Sequence, residues 1–228
     1  MVLSKIKKKC ACCGKEVEVD IIESCYINDT YLDGTSNIDF GDNIQECPNC
    51  HYVNIDIEKS MPNMDEIKQQ VQSEEYQEQN QLYNDPTHPE LNLIQRCSAF
   101  YNLYNNSQYE DYMYNSILAI LSMCRKLNHI ELYDDEITYR KYAIDLFETY
   151  FDLNMEQIDF YKGLLYLDCL RQLSDFEGAE EMIEVLKQTY DNESIFDSPK
   201  DYILLVFEKQ LIDNKDNKPY KMSEVQLI

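Results

Sequence analysis

Cys10 with Cys13, and Cys47 with Cys50, form two C-x-x-C pairs and account for four of the nine cysteines in the chain. A C-x-x-C turn sets two thiolates on one side of a tight knuckle. Two such knuckles facing each other supply the four sulfurs of the tetrahedron that Zn(II) prefers. The flanking residues agree: Gly14 can take the positive φ that turns backbone N–H groups toward sulfur, and Pro48 stiffens the second knuckle. The expectation is one structural Zn(II) held by Cys10, Cys13, Cys47 and Cys50, a closed site with no open position for activating water. Paired C-x-x-C turns also hold a single iron in rubredoxin-like sites, so iron with a redox role is the alternative metal. His51 where a glycine would follow Cys50, and the absence of tryptophan, favour zinc. A disulfide-redox C-x-x-C needs a βαβ setting, and an odd number of cysteines argues against a disulfide framework.

Other reactive residue types read as bland. Cys12 and Cys25 lie beside the ligands as bystanders or substitutes under oxidation, and the bystander reading is preferred. Cys97, Cys124 and Cys169 sit in apolar helical stretches as small buried hydrophobes. His51 directly follows a ligand and is poorly placed to reach the same ion, while His88 and His129 form no ligand pair. Adjacent acids such as Asp134, Asp135 and Glu136, or Glu180 and Glu181, are expected to be solvated rather than catalytic. Five glycines leave no phosphate-cradling loop. No catalytic residue and no organic cofactor site is expected; the chain reads as a non-enzyme.

The elements that must position the sulfurs follow from local pattern. After the first knuckle Val17, Val19 and Ile21 alternate with Glu16, Glu18 and Asp20; after the second, Val53, Ile55 and Ile57 alternate with Asn54, Asp56 and Glu58. Both read as half-buried strands that pair around the metal, a zinc ribbon whose folding is coupled to the ion. Between them, residues 28–43 are rich in Asp, Gly, Thr and Ser and read as a loop. From about Pro62 the period changes to 3.6. Residues 65–82 form a polar, exposed or linking helix, with Pro86 and Pro89 ending it. Helices follow near 89–105, 108–128, 134–152, 155–173, 175–190 and 199–213. Core stripes are Ile117, Ile120, Leu121 and Cys124, then Ala179, Met182, Ile183 and Leu186. Tyr101, Tyr104, Tyr109, Tyr112 and Tyr114 either line a groove or bury their rings, the usual fate of such tyrosines. Phe176 and Ala179 after the turn Leu173-Ser174-Asp175 have weak tetratricopeptide-repeat character. The fold class expected is α+β, mostly α: a small antiparallel zinc-ribbon sheet over 1–60, a polar helix or linker over 61–88, and an antiparallel, tetratricopeptide-like helical layer over 89–228.

Charge narrows the partners. The formal net charge is -23, which opposes binding to a phosphate backbone. The basic cluster Lys5, Lys7, Lys8 and Lys9 reads as a solvated tail, neither signal peptide nor anchor. No apolar run approaches the length of a bilayer span, so a cytoplasmic protein without membrane contact is expected. The functional expectation is a protein–protein interaction module whose acidic helical surface meets a basic face on its partner. An acidic nucleic-acid mimic that inhibits a DNA-binding protein, and a rubredoxin-like iron protein, are the alternatives.

Three segments carry a family resemblance: Cys10-Ala11-Cys12-Cys13-Gly14-Lys15, Tyr31-Leu32-Asp33-Gly34, and Ile44 through Cys47-Pro48-Asn49-Cys50-His51-Tyr52. They resemble a group of uncharacterised bacterial proteins with an N-terminal zinc ribbon followed by tetratricopeptide-like helices. In that group Arg-Pro stands where this chain has Thr35-Ser36, and glycine where it has His51. The resemblance implies zinc binding and helical packing, with no assigned activity.

Overall fold

The lysine cluster at the N-terminus is a strand, not a solvated tail. Strand β1 (Val2–Lys9) pairs antiparallel with β2 (Glu16–Ser24), and the register sets Lys5 opposite Asp20, Lys7 opposite Glu18 and Lys9 opposite Glu16. Each opposite-charge pair across a strand contributes about 0.2–1 kcal/mol, so acids that look merely solvated in the sequence are what make a strand of the lysines. Ser4, Ile6 and Lys8 alternate to the half-buried face, where Lys8 Nζ bonds Asp56 Oδ1 at 2.6 Å.

The pairing also differs from the expected one. The strands that follow the two knuckles do not pair with each other: β2 pairs with β1, while β3 (Gln45–Glu46) pairs with β4 (Val53–Asn54) in a separate hairpin. Each knuckle is therefore the turn of its own hairpin. The alternation from Val53 to Glu58 yields only a two-residue strand because side chains capture the backbone beyond it. Asn54 Oδ1 accepts from the Asp56 N–H at 3.5 Å, and Asp56 Oδ1 from the Glu58 N–H at 3.2 Å.

The computed structural model describes residues 2–27, 29–36, 39–79, 89–105, 109–153, 159–191 and 199–225. It is mostly helical, with the small antiparallel sheets first and the helices after. These are α1 (Met64–Val71), α2 (Glu74–Gln79), α3 (Pro89–Tyr104), α4 (Glu110–His129), α5 (Tyr133–Leu153), α6 (Phe160–Gln172), α7 (Phe176–Asp191) and α8 (Pro199–Asp213). From α3 onward the limits lie close to those read from sequence, except that α6 begins at Phe160. Residues 155–158 of that expected helix, together with His88, Pro86 and Leu82, lie outside the described residues. Among the described residues no helix is long and apolar enough to cross a membrane.

Two compact units divide the chain, one of Met1–Tyr26 with Ile38–Tyr139, the other of Ile27–Asn37 with Arg140–Ile228. In the first, the hairpins and the helices share one core. Val19, Ile44, Tyr52, Val53 and Ile57 cluster with Ile94, Phe100, Tyr104, Met123 and Leu127. The stretch read as one polar helix is two, α1 and α2, separated at Gln72-Ser73, and it buries Met64, Ile67, Val71 and Tyr76 in that core. Gly41, in the 3-10 turn Phe40–Asn43, lies so close to α3 and α4 that an added Cβ would collide with Cys97 Sγ.

The second unit packs α6, α7 and α8 around Leu164, Leu167, Ala179, Met182, Ile183, Leu205 and Ile212. Part of the segment read as a loop belongs to it: Leu32 is buried there and donates its N–H to the Tyr220 carbonyl at 2.9 Å. Arg171, fully buried, bonds Asp168, Glu208 Oε2 at 2.9 Å, and the carbonyls of Asp216 and Lys218 at 2.7 and 2.8 Å. Arg140 and Asp33 form a second buried pair at 3.8 Å.

Candidate metal centre

The two knuckles are built alike. In the first, Cys10 donates its N–H to the Lys15 carbonyl at 2.9 Å, and the Gly14 N–H returns to the Cys10 carbonyl at 2.8 Å. In the second, Cys47 donates to the Tyr52 carbonyl and His51 to the Cys47 carbonyl, both at 2.8 Å. Gly14 and His51 thus hold equivalent places, and both adopt the left-handed conformation, with φ of 72° and 62°. A histidine is tolerated there, as Asn, Asp and His are over-represented among left-handed residues. Its ring is held at the surface by Nδ1 against Glu46 Oε1 at 2.7 Å. His51 does the backbone work of a glycine and is not a ligand.

All four sulfurs, of Cys10, Cys13, Cys47 and Cys50, lie within 4.8 Å of one another. Cys10 to Cys50 and Cys13 to Cys47 are each 3.8 Å. A zinc–sulfur bond of about 2.3 Å places the corners of a tetrahedron about 3.8 Å apart, the spacing of these two pairs, so the cluster is compatible with a metal ion. Backbone N–H groups aim at the sulfurs in the same pattern on both sides: Cys12 and Cys13 donate to Cys10, Asn49 and Cys50 to Cys47, and Tyr52 to Cys50. Such donors favour the thiolate.

Electrostatics without a cation run the other way. The Cys10 thiol is pushed up by its bond with the Cys50 sulfur and then by burial, and burial pushes Cys47 up to about 11. At Cys50 the bond from Cys10 lowers the pKa, but the contact with Cys12 and burial outweigh it. Cys10, Cys47 and Cys50 thus hold their protons more tightly unless a cation is added. A divalent ion reverses that preference and deprotonates its ligands, so binding releases protons.

The remaining sequence candidates scatter. Cys12 is half-buried and its thiol bonds Cys50, which lowers its pKa, so it sits against the cluster without belonging to it. Cys25 is exposed, and Cys97, Cys124 and Cys169 are fully buried. His129 ends α4 in solvent. Of the acids weighed as catalytic pairs, Asp134, Asp135, Glu180 and Glu181 are exposed and Glu136 is buried. Tyr104 and Tyr112 are buried, while Tyr101, Tyr109 and Tyr114 are half-buried.

Sequence reading missed the supports of the second knuckle. Tyr76 of α2 donates its hydroxyl to the His51 carbonyl at 2.8 Å. Tyr104 of α3 bonds the Val53 carbonyl and the Tyr52 hydroxyl, both at 3.2 Å. Burial raises Tyr52 to about 12 and Tyr104 well above the usual tyrosine value. The period-3.6 pattern could place these tyrosines on a buried face, but not on this partner. Compared with family models, with curated proteins and with solved structures, the chain matches none.

Proposed function

We propose that Cys10, Cys13, Cys47 and Cys50 hold one structural Zn(II), and that the chain is a non-enzymatic protein-interaction module that engages a partner with a basic face. The observation that carries the metal is the clustering of the four sulfurs within 4.8 Å of one another, two of the edges being 3.8 Å. When bound, the ion supplies cross-linking rather than catalysis: four thiolates complete its coordination and leave no position for substrate or water. Cys10 and Cys47 lie in the shared core of the first unit, so the ion would tie both hairpins to the floor formed by α1 to α4. Thiolate ligands must stay reduced, which suits a cytoplasmic setting.

The partner reading rests on charge. At -23 the surface attracts basic proteins and repels nucleic acid; Lys5, Lys7 and Lys9 of β1 already stand opposite acids of β2, and Lys8 pairs with Asp56. Cobalt(II) titration of the metal-stripped, reduced protein tests the metal site. The intense visible bands of a tetrahedral tetrathiolate should grow to one equivalent per chain and vanish when Zn(II) is added. Weak octahedral bands, or saturation at no defined ratio, would defeat the assignment.

A further inference from the structure

Two adjoining clefts open on the first unit where the chain leaves the second hairpin and passes the first turn of α4. One, of about 330 Å³, is lined by Asn54, Asp56, Lys59, Asp111, Tyr112 and Tyr114. The other, of about 480 Å³, shares Lys59, Asp111 and Tyr112 and adds Met61, Pro62, Tyr109 and Glu110. Their common wall is the Tyr112 ring. That ring is fixed from behind, 4.8 Å from Tyr104 and stacked 6.5 Å from Phe100; it is largely buried, with 7% of Tyr112 exposed. Over it stands the chain's own ammonium, Lys59 Nζ, 5.3 Å from the centroid. An ammonium over a tyrosine face beside carboxylates is the arrangement by which proteins recognise cationic side chains.

We infer that this double cleft is the docking site for a lysine-bearing segment of a partner protein, whose ammonium takes the place over Tyr112 that Lys59 fills in the free chain. The inference rests on the interaction reading proposed above and gives it a location. Charge complementarity selects the occupant. Glu110 and Asp111 edge the clefts, the Asp56 carboxylate beside them being bonded to Lys8, and among the described residues Lys59 is the one basic residue lining either. Met61, Pro62 and the tyrosine flanks supply apolar contact for the aliphatic stem of the incoming lysine. Lys59 is exposed on a flexible stem, so it can swing out without disturbing the core.

The test is fluorescence anisotropy on the zinc-loaded full chain, with a labelled, end-capped peptide of alternating lysine and alanine as probe and its glutamate counterpart as control. Lys59→Ala should tighten lysine-peptide binding about two- to five-fold, and Asp111→Asn should weaken it by a similar factor. Lys187→Ala and Glu181→Gln make the same charge changes on α7 and should leave binding within twofold. Equal effects at the cleft and on α7 would overturn the cleft while leaving a diffuse acidic interaction surface intact. No binding of the lysine peptide by any form would overturn both. Self-association of the chain that Lys59→Ala alters without peptide would assign the cleft to a second copy and overturn the inference. Each variant is at the surface, and an unchanged circular dichroism spectrum checks its fold.

Discussion

Cys10 and Cys47 hold the inner corners of the sulfur cluster, buried and each facing two backbone N–H groups, while Cys13 and Cys50 close it from the half-exposed side. A structural tetrathiolate zinc contributes about 10–16 kcal/mol to folding, so losing one of four ligands should weaken metal binding by about a hundredfold or more. Cys10→Ser and Cys47→Ser should therefore purify with less than one zinc per chain, and Cys12→Ser and Cys25→Ser with a full one; competition against a chelator of known affinity reads the difference. His51 is the other residue whose role shows only in the backbone. A side chain held left-handed costs about 1–2 kcal/mol relative to glycine, offset here by the bond to Glu46. His51→Gly should leave urea stability unchanged or raise it by up to about 1 kcal/mol. His51→Val should lower it by about 1–2 kcal/mol, because a β-branched side chain fits that conformation worst. A valine variant as stable as the parent would show that the second knuckle can form without this geometry.

Among the described residues, three helices end in the same device without a glycine. After α4, the Leu132 N–H bonds the Leu127 carbonyl across Glu131 at φ 63°. After α6, Asp175 bonds Leu170 across Ser174 at φ 64°, and after α8, Asp216 bonds Leu211 across Lys215 at φ 53°. Each is a helix end closed by a left-handed residue and a six-to-one hydrogen bond, a place normally given to glycine. Glu131→Gly, Ser174→Gly and Lys215→Gly should each stabilise the protein, by up to about 1 kcal/mol, read from denaturant midpoints at constant slope. The helix limits were still legible, because the residues that start the next helix are conventional: Asp175 accepts from the Gly178 N–H, and Pro199 opens α8. The strands were less so. Alternation around Val17 to Ile21 identified β2, but nothing in Lys5 to Lys9 read alone announces a strand, since its stability lies in the acids opposite it. Likewise the period of Asp65 to Leu82 gave a helix but not its break, where the Ser73 hydroxyl accepts from the Tyr76 N–H and restarts the chain as α2. Local chemistry and the core stripes around Ile117 and Ala179 were readable; cross-strand partners and the burial of α1 and α2 were not.

At the scale of the molecule, each unit has its own polar cross-link, and they respond to different conditions. In the second unit three buried carboxyls, Asp33, Asp168 and Glu208, face two buried guanidiniums, Arg140 and Arg171, one negative charge too many. Burial and the Asp168 carboxylate raise Glu208 well above the usual range, against the pull of Arg171. A carboxyl raised on folding takes up a proton as the chain folds, so its cost is absent below its unfolded value and grows as pH rises toward the folded one. Glu208→Gln, which removes the titration and keeps an oxygen to accept from Arg171 Nε, should stabilise the protein at pH 7 and make no difference near pH 4. Thermal unfolding at the two values measures this, and a glutamine variant less stable at pH 7 would show Glu208 to be ionised. In the first unit the proposed cross-link is a metal ion, and the clustering of Cys10, Cys13, Cys47 and Cys50 was legible because C-x-x-C spacing is a local property that survives any arrangement of the strands around it. The most direct test of the account is elemental analysis, with a visible spectrum, of protein purified without a metal-binding tag. One zinc per chain and a colourless solution is the result predicted; one iron with thiolate charge-transfer bands, or no metal at all, would contradict a closed structural zinc site at Cys10, Cys13, Cys47 and Cys50.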